Sequence, residues 1–142
     1  MQVKPDDTIT VAKTVSEFDV YQFAGLSGDF YEAHVNQALM EKSAFGERIA
    51  HGALLVGFMS AAGTALIALV RQRGDQSTPV SLGYDGIKFV EPVRFGDTVT
   101  VRYTVESLDV ERHRSTAAIT VTNQHDRTVA VAKHIMKWLP KD

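Results

Sequence analysis

The residues best placed to move a proton lie between Ser27 and Gly52, in SGDFYEAHVNQALMEKSAFGERIAHG. Asp29 precedes His34 by five positions in a stretch opened by Gly28. A carboxylate and an imidazole ordinarily titrate on either side of about pH 6, so they can share one water and pass a proton either way. Five residues is the wrong spacing for one helix face, but a glycine-led loop lets both side chains turn to one point. FGERIAHG then feeds a long uncharged segment starting at Gly52. The first turn of a helix carries unpaired N–H groups and about half a unit of positive charge, which suits an oxygen gaining charge in a transition state. Such a pair beside such donors is the equipment for adding or removing water next to a thioester carbonyl. Each residue also has a plainer use. Asp29 can be a turn residue, His34 a satisfied loop histidine, and Gly52 a point of close packing.

The elements that must hold these groups can be read from pattern. Thr8–Val15 has strand composition. Ser16, with an acid three residues on, caps a helix that Gly25 and Gly28 end. Residues 28–35 read as a loop, Asn36–Lys42 as a short helix capped by Asn36, and Ser43–His51 as a second loop. The long helix spans about Gly52–Arg71, with Arg71 and Arg73 opposing the negative end of its dipole and Gly74 stopping it. Strands follow from Thr78. Gly83 and Gly86 suggest bends in Val80–Val90. Thr98–Leu108 alternates, with Val99, Val101, Tyr103 and Val105 on one side; Thr116–Thr122 and Arg127–Trp138 complete the meander. One apolar helix followed by long antiparallel strands predicts an α+β domain over residues 1–142, its sheet curled around a helix buried on all sides. Such a sheet leaves edges, so two copies are expected to pair edge to edge as a homodimer or higher homo-oligomer.

Composition narrows the classes. A hydrophobic content of 44% and a charged content of 23% are ordinary for a globular domain. A net charge of −2 with no basic stripe argues against nucleic acid as a partner. Cysteine is absent, which excludes disulfides, thiolate metal sites and cysteine nucleophiles. The first ten residues lack an apolar signal core, so a cytoplasmic location is expected. Ala53–Val70 approaches the roughly 20 residues of a membrane span, but its glycines, alanines, Ser60 and Thr64 fit a packed helix better, and no membrane is expected. His113, His125 and His134 show no ligand spacing, so no metal is expected.

At SGD-x4-H followed by FGERIAHG, the chain resembles the MaoC-like, (R)-specific enoyl-CoA hydratase (hydratase 2) family. The resemblance implies a hot-dog fold and the reversible hydration of a trans-2-enoyl-CoA to an (R)-3-hydroxyacyl-CoA. It needs no cofactor beyond the CoA thioester that is the substrate. It assigns catalysis to Asp29, His34 and the N–H of Gly52. Tyr31, His51, Arg48 and Ser60 are candidate substrate contacts. Other uses stand beside these: His51 can cap the helix or bond the loop of Asp29, Arg48 can anchor its loop through an ion pair, and Ser60 lies on a small-residue stripe with Gly57, Ala61 and Thr64. Lys88, Arg94 and Arg102 are further candidates for the CoA phosphates. Tyr31 and Glu32 stand where the family has Asn-Pro, with the Tyr31 hydroxyl able to take over part of the asparagine's work and Glu32 either adding an acid near the site or turned to solvent. Two alternatives share this fold: a thioesterase, and a non-catalytic acyl-thioester-binding subunit.

Overall fold

The computed structural model describes residues 1–141. The element order is β1 (Thr8–Thr14), α1 (Glu17–Ser27), α2 (Glu32–Val35), α3 (Gln37–Met40), α4 (Gly52–Gln72), β2 (Thr78–Phe89), β3 (Thr98–Asp109), β4 (Arg114–Thr122) and β5 (Thr128–Leu139). The strands form one antiparallel sheet in the order β1-β3-β4-β5-β2. With α4 laid across one face of that sheet, this is the α+β hot-dog fold.

Alternation decides which face meets the helix. On β3, Val99, Val101, Tyr103 and Val105 are buried, as their period of two requires. On β5 the inward set is Ala130, Ala132, His134, Met136 and Trp138. From α4, Leu54, Leu55, Met59, Ala62, Leu66 and Val70 complete the same core. Each large aliphatic side chain buried this way contributes about 1.5–3 kcal/mol. The bends expected at Gly83 and Gly86 are real register shifts in the β2–β5 ladder, between Ser81 and Gly83 and between Asp85 and Lys88.

Three local expectations need correction. The first helix does not stop at Gly25 but runs through it to Ser27, where Gly28 takes the left-handed conformation (φ 82°). The supposed loop of residues 28–35 contains a helical turn, α2, too short for periodicity to reveal. The long helix is not buried on all sides. Although α4 is long and apolar enough to cross a membrane by length and composition, only its sheet-facing side is buried here. Five strands cover one side, leaving Ala53, Gly57, Ser60, Ala61, Thr64 and Ala68 exposed.

A polar cluster sits inside the apolar core. Nδ1 of His134 meets the Tyr103 hydroxyl at 2.8 Å, and its Nε2 meets Ser81 Oγ at 2.8 Å. Its ring stacks on Tyr84 at 4.2 Å, and Gly63 of α4 passes so close that a Cβ there would lie 3.3 Å from the imidazole. Burial pushes His134 down to about 4 from the ordinary 6.5. The folded state therefore holds this imidazole neutral where the unfolded chain would protonate it, so stability falls with pH between about 6.5 and about 4. The shift corresponds to about 3 kcal/mol. Urea unfolding across that window should show this loss, and His134→Gln should flatten the dependence; an unchanged slope in the variant would contradict the assignment.

Candidate active site

The site is built where α1, the turn α2 and the start of α4 meet. Ser16 caps α1 through a reciprocal capping box with Asp19, and Gly28 turns the chain out of the helix. Asp29 follows, exposed, its carboxylate accepting the Tyr31 N–H at 3.3 Å. His34, partly buried on α2, is fixed by a 2.8 Å bond between its Nδ1 and the carbonyl of Ile49. A carbonyl oxygen only accepts, so Nδ1 of neutral His34 carries the hydrogen and Nε2 carries the basic lone pair.

His51 precedes α4 but does not cap it, since no side-chain bond is made to that helix start. It reaches back instead: its Nε2 lies 2.9 Å from the backbone oxygen of Asp29, which makes Nε2 the protonated nitrogen. Of the two uses open to His51, the bond to the Asp29 loop is the one present. Its ring stacks on His34 (centroids 3.7 Å apart, 27° between planes) and meets Phe23 at 4.8 Å. It is buried, and its Nδ1 has no hydrogen-bond partner. Desolvation holds its pKa below the ordinary imidazole value, and the neighbouring His34 adds to that, against the raising effect of the Asp29 carbonyl and carboxylate.

Asp29, His34 and His51 thus converge, each offering a nitrogen or oxygen within 4.8 Å of the others. That spacing would also suit a metal ion, but Nδ1 of His51, the nitrogen not bonded to a carbonyl, is sealed from solvent. The arrangement fits proton transfer: an exposed carboxylate, an imidazole with its lone pair free, and a second imidazole holding both in place.

Beside them a cavity of about 370 Å³ is lined by His34, Phe45, Gly52, Leu55, Phe89 and Val93, among others. Gly52 is therefore at the site, at the uncapped start of a 21-residue helix. Its neighbour is unexpected: a Cβ on Gly52 would stand 2.5 Å from Phe89, so the ring of Phe89 occupies the space a side chain would need. Phe45, Leu55, Phe89 and Val93 were not legible as lining residues. Phe89 ends β2, and only the antiparallel return of that strand brings it over Gly52.

The remaining candidates are placed differently. Tyr31 is 65% exposed and meets His34 edge-on at 5.8 Å, outside the cavity lining. Glu32 is exposed at the start of α2. Arg48 is engaged internally: Nη1 bonds Glu17 at 2.9 Å and the Tyr21 hydroxyl at 2.6 Å, Nε bonds Gln37 at 3.2 Å, and the guanidinium lies over Phe95. It ties the FGERIAHG loop to α1 and α3. Arg94 likewise bonds Glu47 and the carbonyl of Phe45. Ser60 lies on the exposed side of α4, next to the Tyr84 hydroxyl and eight residues beyond Gly52.

Residues 2–129 match the MaoC-like domain. An (R)-specific enoyl-CoA hydratase from Rhodospirillum rubrum is 42% identical over 120 residues, covering 84% of this chain and 78% of that protein. A 3-hydroxybutyryl-CoA dehydratase from Methylorubrum extorquens is 35% identical over 113 residues, covering 80% and 67% respectively. Among solved structures, an (R)-hydratase from A. caviae involved in PHA biosynthesis superposes with a TM-score of 0.81 at 26% identity, covering 97% of this chain and 98% of that one. The chain belongs to the MaoC-like domain family.

The two imidazoles should show opposite tautomers. Long-range ¹H–¹⁵N correlations above pH 7 should find the hydrogen of His34 on Nδ1 and that of His51 on Nε2. The reverse tautomer at His34 would remove the free Nε2 base.

Proposed function

We propose that this protein reversibly adds water to a trans-2-enoyl-CoA, giving an (R)-3-hydroxyacyl-CoA, with Asp29 and His34 moving the protons and the start of α4 holding the thioester oxygen. Its enzyme class, an enoyl-CoA hydratase/dehydratase of the MaoC-like kind, follows from its relatives. The observation that carries the residue assignment is a carboxylate clustered with an imidazole whose second nitrogen is free, that imidazole lining the same cavity as an uncapped helix start.

Asp29 and His34 stand at a separation that one water can bridge with two hydrogen bonds of about 2.8 Å. In hydration that water loses a proton to the pair as its oxygen bonds the β-carbon. A proton passes from the pair to the α-carbon, so one water is consumed and the enzyme is restored. Between these events the thioester oxygen carries enolate charge, and the N–H of Gly52, a residue of the cavity lining, is the donor assigned to it in this scheme. No cofactor enters this scheme, and the CoA thioester is the substrate itself. Dehydration is the same path reversed.

A second copy of the chain belongs to the same reading. Strand β2 is a sheet edge of 12 residues carrying exposed Val80, Leu82, Ile87 and Phe89. Pairing of β2 with β2 of another copy would remove the longer edge. Sedimentation should give twice the chain mass, reduced by Leu82→Lys; a monomer at micromolar concentration would count against the pairing.

The reaction is tested by loss of the conjugated enoyl-thioester absorbance with crotonyl-CoA. Asp29→Asn and His34→Ala should each lower kcat by about 10²-fold or more with folding intact. Wild-type turnover in either variant would sink the assignment of that residue, and thiol release without hydration would favour a thioesterase.

A further inference from the structure

The space above Gly52 belongs to Phe89, and this has a consequence for substrate choice. Gly52 has no positive φ, so its backbone does not require glycine, and alanine is the better helix former. What excludes a side chain is the aromatic ring: a Cβ would stand 2.5 Å from Cδ2 of Phe89 and 2.7 Å from its Cε2 and Cγ. The contact involves the body of the ring and not merely its far edge. Phe89 pairs across the ladder with Ala130, which is small and fully buried, so both face the helix side of the sheet. Yet Phe89 remains 52% exposed, because the cavity opens beside it. That cavity is walled by Phe45, Leu55, Phe89 and Val93, with His34 and Gly52 at its polar end. Its one acidic lining residue, Glu91, is tied to Arg127. Such a lining suits hydrocarbon and offers nothing to a phosphate.

We propose that Phe89 is a specificity-determining residue, its ring across Gly52 forming the wall that limits how large an acyl group can lie beside His34. This rests on the hydratase reading. A thioester whose carbonyl sits at the N–H of Gly52 and whose β-carbon faces His34 must pass its hydrocarbon tail along this ring. A short, unbranched tail fits with Phe89 in place, whereas a longer one needs the ring displaced.

The test compares trans-2-butenoyl-CoA with trans-2-octenoyl-CoA. Phe89→Ala should raise the octenoyl-to-butenoyl ratio of kcat/KM by about tenfold, and Phe89→Leu should move it the same way by less. An unchanged ratio in both, with the wild type active, overturns the role of Phe89 alone. Wild-type inactivity towards both substrates would overturn the hydratase reading and this assignment with it. A thermal cycle provides a readout independent of activity. Gly52→Ala should lower Tm by about 5 °C in the wild type, as an overpacked contact does. In the Phe89→Ala background the same change should be neutral or raise Tm, because only the helix propensity of alanine remains. The same effect of Gly52→Ala in both backgrounds would show that the ring does not dictate this glycine, and would overturn the proposal.

Discussion

The arrangement of the site depends on the direction taken by one side chain. His51 occupies the N-cap position of α4, where a side chain would ordinarily accept a hydrogen bond from the first turn. It turns the other way and bonds the carbonyl of Asp29, 22 residues earlier. The first-turn N–H groups of the longest helix in the fold are thereby left without a side-chain partner, and the loop carrying the carboxylate is pinned to the start of that helix. The same ring is the plate on which His34 stacks. Burial lowers its pKa from the ordinary imidazole value, which disfavours a positive charge on the ring packed against His34.

This bond also explains why so much of the surrounding loop structure is internal bracing. Ile49 gives its carbonyl to His34 and its N–H to the carbonyl of Ala33, so the FGERIAHG loop is bonded twice to α2. Ala50 bonds the carbonyl of Val93, which brings the strand entry beneath the same loop. Arg48 spends its guanidinium on Glu17, Tyr21 and Gln37. Desolvation opposes its charge, but these partners more than compensate and its pKa stays above the ordinary value. A charge engaged in this way serves position. Arg48, the one cation of the motif, holds the loop's shape.

What the sequence made legible divides along physical lines. The strands were readable because period-two alternation survives in β3, β4 and β5, each buried on one face; even the irregularities of β2 announced themselves as Gly83 and Gly86. The clustering of Asp29 with His34 and the start of α4 were readable because they fall within 26 residues of chain. Two kinds of feature were not. The turn α2 is a single loop of helix whose formation depends on contacts with Ile49, not on its own pattern. The walls of the cavity come from residues 37 positions apart, Gly52 and Phe89, joined only when β2 returns antiparallel to α4. Local chemistry can be read from spacing, whereas cavity shape is a property of topology.

Gly52 shows how a single residue can answer two constraints that are easily taken for one. A glycine at a helix start beside an acid and an imidazole invites the reading that an incoming carbonyl needs the room. The structure gives that room to Phe89. The N–H sits on the nitrogen of Gly52 and the contact with the ring concerns its Cα, so the two constraints fall on different atoms. Glycine is then required by packing, and under the proposed function the donor N–H follows from where the helix begins. Under the proposed function, the chemistry near His34 and the choice of acyl group are set by different parts of the fold. The first comes from the loop that His51 ties to α4, and the second from the last residue of a sheet edge. Either could change without disturbing the other, because the residues that set them lie on separate elements joined only at Gly52.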